Sequence, residues 1–198
     1  MQKIGFEKEK QNRVIASIRD CLIKLLQEEW DVLFLVTRKG YWSYKTLMDD
    51  VAWKVLREEN PEVMSKIESG EKIIRTDRYL IKCVNVKEEF GGKKVFIYDD
   101  TMTRGTNLFF YFSYLTSHNI DVTPVVYALS TTYPSDETKD NLVTEFQRLT
   151  RNGEPRNSSG NDYVRRFNAK LLWYRRLTPG NLSEICIWET NLFNENLC

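Results

Sequence analysis

The chain has 198 residues, with 29 Lys and Arg against 28 Asp and Glu and a formal net charge of +1, enough for one well-buried core and too balanced for a global field that would mark a nucleic-acid or membrane partner. Aromatic residues make up 13% and hydrophobic residues 41%, which excludes disorder throughout. Four cysteines, Cys21, Cys83, Cys186 and Cys198, show neither CxxC spacing nor a ligand pairing with the single His118, so zinc is disfavoured and reduced cytoplasmic thiols are expected.

The start, MQKIGFEKEKQNR, is charged, and nowhere do eighteen apolar residues follow one another; a soluble, cytoplasmic protein without membrane association is expected. From about 8 to 30, Val14, Ile15, Ile18, Cys21, Leu22, Leu25 and Leu26 recur at helical spacing. DVLFLV at 31–36 is too short for a helix and reads as a strand buried on both faces. After TRKGYWS, helical period runs from Tyr44 to Leu56 and stops at Asn60–Pro61, a βα unit. The interval 61–94 holds β-prone pieces around Ile73–Ile74 and Tyr79–Val84, and EEFGGKK at 88–94 reads as a turn.

VFIY at 95–98 is a second buried strand, 108–115 begins a helix, and VTPVVYALS at 122–130 is a third strand. This alternation predicts an α/β fold with a central parallel sheet flanked by helices. Residues 1–130 are read as the core, including the N-terminal helix, and 131–198 as a C-terminal extension packed on it. Within the extension, 136–148 has helical character and 151–162 is a loop rich in Gly, Pro, Asn and Ser.

The stretch VFIYDDTMTRGTN carries the chemistry. Ligands of open α/β sheets bind at the carboxyl ends of the strands, where Asp99 and Asp100 are expected, just before a turn. A Gly105-containing loop opening a helix offers backbone amides to a phosphate, whereas paired carboxylates suit hydroxyls or a hydrated magnesium ion. A ribose 5-phosphate meets both demands. A plain strand-to-helix junction with capping aspartates is the competing reading, disfavoured by the burden of two adjacent carboxylates at the end of a buried strand.

This stretch resembles the signature of type I phosphoribosyltransferases, and the likeness extends over roughly residues 10–130. It implies a phosphoribosyltransferase-like core in which Asp99 and Asp100 hold the ribose hydroxyls of phosphoribosyl pyrophosphate (PRPP) as the catalytic pair. Thr103, Arg104, Gly105, Thr106 and Asn107 would cradle its 5-phosphate. Thr37, Arg38, Lys39 and Gly40, after the first core strand, would correspond to the family's pyrophosphate loop. Mg2+ is implied with PRPP, and no metal ligands are assigned to the protein itself. Arg104 stands where a threonine is common, and Asn107 where a threonine hydroxyl usually binds phosphate; a charge-assisted bond and an amide donor are their substitutes. Arg75, Arg78 and Lys82 lie in the interval of the family's mobile loop, with no role assigned. Thr103 replaces the acidic residue common in purine-type members, which counts against purine salvage.

Two functions follow. One is a divergent phosphoribosyltransferase that transfers the phosphoribosyl group to a base, nucleotide or nucleic acid and releases pyrophosphate. The alternative is a catalytically silent PRPP- or nucleotide-binding domain, regulatory or part of a conflict system such as phage defence, acting with a partner. The tail 162–177 interleaves Arg165, Arg166, Lys170, Arg175 and Arg176 with Tyr163, Phe167, Trp173 and Tyr174, a composition that suits a nucleic acid or a partner protein, although a packing element with solvated arginines is the favoured reading. The extension is thus a candidate hood or partner-binding element, and Trp188, Leu192 and Phe193 leave self-association open.

Overall fold

A strand buried on both faces needs apolar residues at consecutive positions, a demand met by the runs read above at β1 (Val32–Val36) and β3 (Lys94–Met102). A computed structural model describes residues 2–37, 39–48, 50–68, 72–151 and 159–195. With β2 (Lys72–Thr76), β4 (Asp121–Ser130) and β5 (Leu172–Leu177), these strands form one sheet in the order β2-β1-β3-β4-β5, parallel throughout. The chain leaves β1 towards one edge and returns to build β3, β4 and β5 towards the other. A topological switch point therefore lies between β1 and β3.

The strands' period of two divides the core into two layers. Val32, Phe34, Val36, Val95, Ile97 and Val126 face one layer. It is built from α5 (Val86–Phe90), α6 (Thr106–Ser117), α7 (Asp136–Arg151) and α8 (Gly160–Lys170). Leu33, Leu35, Phe96, Tyr98, Val125 and Tyr127 face the other, which is made of α1 (Gln2–Leu26), α2 (Lys39–Leu47), α3 (Asp50–Glu59), α4 (Pro61–Glu68) and α9 (Pro179–Glu195). Phe109 and Phe112 of α6 both meet Phe167 of α8 edge-on, at 5.3 and 5.4 Å between ring centroids, a favoured aromatic geometry. No described helix is long and apolar enough to cross a membrane.

Several elements depart from their sequence reading. The helix expected from residue 44 is two helices, and the first opens at Lys39, so Lys39 and Gly40 sit in its first turn instead of in a loop. The β-prone 79–84 piece is a 3-10 turn (Leu80–Cys83), because the Asp77 carboxylate accepts from the amides of Tyr79 and Leu80, each at 2.8 Å, and curls the chain. The turn expected at 88–94 contains the end of α5, with Gly92 in the left-handed region at φ 75°. Asp99 and Asp100 lie inside β3 and not at its end, since the ladder to β4 continues through Thr101↔Ala128 and Met102↔Leu129. The extension beyond residue 130 contributes β5 to the sheet itself. Of the 151–162 loop, 152–158 lie outside the described residues.

Candidate functional site

At the carboxyl edge of the sheet, two loops converge on the β1/β3 switch point. The first follows β1: the Thr37 amide bonds the Thr76 carbonyl of β2 at 2.9 Å, and the first turn of α2 packs against β3. Gly40 makes this approach possible, because a Cβ there would stand 2.7 Å from the Tyr98 carbonyl oxygen and 3.3 Å from the Asp99 Cα. Only a residue without a side chain lets the helix start this close to the strand. Lys39 is close enough to Asp99 for their charges to interact, and Arg38 lies outside the described residues.

The second loop follows β3. Asp99, Thr101, Met102 and all of 103–108 line a cleft of about 220 Å³. Gly105 is the N-cap of α6, in the left-handed region at φ 76°, and it makes no side-chain cap. The amides of the helix's first turn, including those of Thr106 and Asn107, are consequently left to solvent or to a ligand, and the helix dipole favours an anion there. Thr103, Arg104, Gly105, Thr106 and Asn107 form the wall of this cleft, whereas Thr37, Lys39 and Gly40 are not on its lining, and Lys39 is tied to it through its charge interaction with Asp99.

The two acids separate in role. Asp99 is partly exposed and lines the cleft, its Oδ1 accepting from the Asp100 amide at 3.0 Å. Burial of its carboxyl, followed by the neighbouring Asp100 charge, pushes the Asp99 pKa well above the usual carboxylate range, while Lys39 pulls it down. Asp100 is buried at 2% exposure. Its Oδ2 accepts from the Thr101 hydroxyl at 3.3 Å, and that hydroxyl is 3.6 Å from Cys186 Sγ on α9. The structure therefore brings Asp99 to the cleft and sets Asp100 on the α9 side of the strand.

Arg104 and Asn107 are both engaged within the chain. Arg104 reaches Glu137 of α7 at 4.0 Å across solvent, a weak exposed pair. Asn107 Oδ1 accepts from Arg78 Nε at 3.1 Å. Arg78 also donates from Nη1 to Glu145 Oε1 at 2.6 Å and from Nη2 to the Thr106 carbonyl at 3.2 Å, and its guanidinium lies 4.6 Å from the Phe110 ring centroid. No spacing rule singled out Arg78. The signal available in sequence was only a basic residue beside a turn-forming Asp77.

A second cleft of about 400 Å³ shares Thr103 and Arg104 with the first and is otherwise lined by Ser130, Thr132, Ser135, Glu137, Thr138 and Pro179. A larger hollow of about 500 Å³ near Arg57 and Glu68 lies on the α3–α4 side, remote from these loops. The basic-aromatic segment 162–177 is split between α8 and β5, and its cations make contacts within the chain. Arg165 pairs with Asp162, Lys170 with Asp121, and Arg166 covers the Tyr163 ring. Arg175 reaches Ser17 Oγ, and Arg176 donates to the Tyr133 carbonyl at 2.7 Å and stacks over Trp173. Comparison with models of known protein families and with curated proteins finds no match for this chain.

Proposed function

We propose that this chain is a divergent phosphoribosyltransferase that binds PRPP at the β1/β3 crevice and transfers its phosphoribosyl group to a nucleophilic acceptor. The observation that carries the reading is Gly40 packed against the backbone of Tyr98 and Asp99. The contact sets the first turn of α2, with Lys39, beside Asp99, and Asp99 lines a cleft with the uncapped start of α6; this supports a site at the place where open parallel sheets bind ligands. In this arrangement the 5-phosphate takes the amides of Thr106 and Asn107, the ribose hydroxyls donate to Asp99, and the diphosphate lies towards Lys39 and Gly40.

A magnesium ion fits the donor chemistry. Asp99 supplies a hard oxygen ligand whose ionisation burial opposes, so a cation there relieves the penalty. When bound, magnesium supplies charge neutralisation of the departing diphosphate. The chain's own residues bind and orient: the helix start at Lys39 holds the leaving group, Asp99 fixes the ribose, and the α6 amides anchor the far phosphate. The acceptor's lone pair forms the new bond to the anomeric carbon as the bond to pyrophosphate breaks, a step served by positioning and electrostatics. The adjoining cleft, which shares Thr103 and Arg104, is the space the acceptor would occupy.

A second reading, PRPP or nucleotide binding without turnover, draws support from the loop. Arg104 turns towards Glu137, and the Asn107 carbonyl oxygen is held by Arg78. Incubation with PRPP, magnesium and a panel of nucleobases, nucleotides and RNA separates the two. Pyrophosphate release that disappears in Asp99→Asn supports transfer. Tight binding with no release across the panel favours the silent domain.

A further inference from the structure

Glu145 is a carboxylate buried in the α6–α7 layer, its side chain 7% exposed. A charge so placed requires partners, and Arg78 and Arg148 supply them at 2.6 and 3.6 Å. Arg78 spends only one edge of its guanidinium on this pairing. The remaining donors point at the first turn of α6, Nη2 at the Thr106 carbonyl and Nε at Asn107 Oδ1. Phe110 beneath the guanidinium plane completes the seat. Asp77, one residue earlier, bends the chain so that Arg78 projects from the loop after β2 towards α6.

The consequence falls on Asn107, which lines the cleft. A free primary amide presents its oxygen or its NH2 with little preference, and an oxygen turned towards an anion repels it. With Oδ1 bonded to a guanidinium, the orientation of the amide is set and its NH2 is turned away from Arg78. We propose that Arg78 is a positioning residue for ligand binding: it fixes the amide of Asn107 so that Nδ2 donates to the anionic group bound at the start of α6. The role deepens the phosphoribosyl reading above and rests on it. It also accounts for an asparagine at the position where the similar family uses a threonine, since a hydroxyl orients itself and an amide needs a second residue to orient it.

Arg78→Lys is the informative variant. Lysine keeps the net charge and a partner for Glu145, but a compact ammonium cannot serve Glu145, Asn107 and the Thr106 carbonyl together. Titration calorimetry of PRPP with magnesium should show affinity reduced roughly tenfold, the scale of one hydrogen bond to a charged group, with the melting temperature checking that the fold is kept. Asn107→Ala should cost a similar factor, and adding Arg78→Lys to it should cost little more. Asn107→Thr combined with Arg78→Lys should recover most of the affinity, because the hydroxyl needs no orienting partner. A purely structural role for Arg78 would not be rescued by a threonine at 107. Equal and additive losses from the two single variants, or no rescue by Asn107→Thr, overturn the positioning role while the wild-type heat still upholds the ligand. No heat from the wild-type chain overturns the phosphoribosyl reading and this role with it.

Discussion

Asp99 combines two opposed demands. Its pKa lies well above the usual range through burial and the Asp100 charge, so the folded chain holds a proton there over a pH window in which the unfolded chain has released it. Stability from this site is therefore fully present below the unfolded carboxylate pKa and is lost as pH rises towards the folded one. Asp99→Asn should raise the melting temperature near neutral pH and flatten its pH dependence in that window, while PRPP affinity falls. A variant that melts lower at pH 7 would contradict the assignment of strain to this carboxyl. The Arg78–Glu145 pair predicts the reverse: Arg78→Ala strands a buried carboxylate, and with Arg148 still nearby the loss should lie towards the low end of the roughly 3–5 kcal/mol seen when a buried pair is broken. Chemical denaturation measures it. The sequence made the acidic pair legible because carboxylates after an apolar run have few stable uses. It left Arg78 unassigned because the partners that define it, Asn107 and Glu145, are 29 and 67 residues away.

At the scale of elements, α2 shows what pattern reading missed. Helical periodicity from Tyr44 was visible, whereas the true start at Lys39 depends on the fit of Gly40 against β3, a contact between distant segments that leaves no periodic trace. Gly40→Ala puts a methyl group against backbone that cannot swing aside, and overpacking of this kind costs about 1–3 kcal/mol. A stability loss in that range, with PRPP affinity reduced as Lys39 is displaced, is expected; a thermal melt and a titration of the same sample read both. The strands were legible because parallel strands buried on both faces have a composition of their own, but β5 was not. LWYRRL lies mostly exposed at the sheet edge, where charge and aromatic bulk replace the buried apolar run. Its pairing is still structural: it covers β4 along Val125, Val126, Ala128 and Leu129, all buried to 1% exposure or less. Deleting residues 172–177 should bare this apolar edge and drive the chain to aggregate, as size-exclusion chromatography would show. A monodisperse, folded deletion variant would mean that β5 is dispensable.

For the whole molecule, the α/β class, the parallel sheet and its flanking helices follow from alternating patterns along the chain. The order β2-β1-β3-β4-β5 does not, because strand order is set by crossovers between segments with no shared local pattern. That order puts the sheet's reversal between β1 and β3, where Gly40 packs on the backbone of Asp99 and Asp99 lines its cleft. A chain with 29 basic and 28 acidic residues has no net field with which to draw in an anion, so recognition has to come from this local geometry. The most direct test is titration calorimetry of the wild-type chain with PRPP in the presence of magnesium, with Asp99→Asn alongside it. Saturable heat from the wild type, strongly weakened in the variant, is the predicted result. No heat at millimolar PRPP, or equal binding by both proteins, would contradict the account.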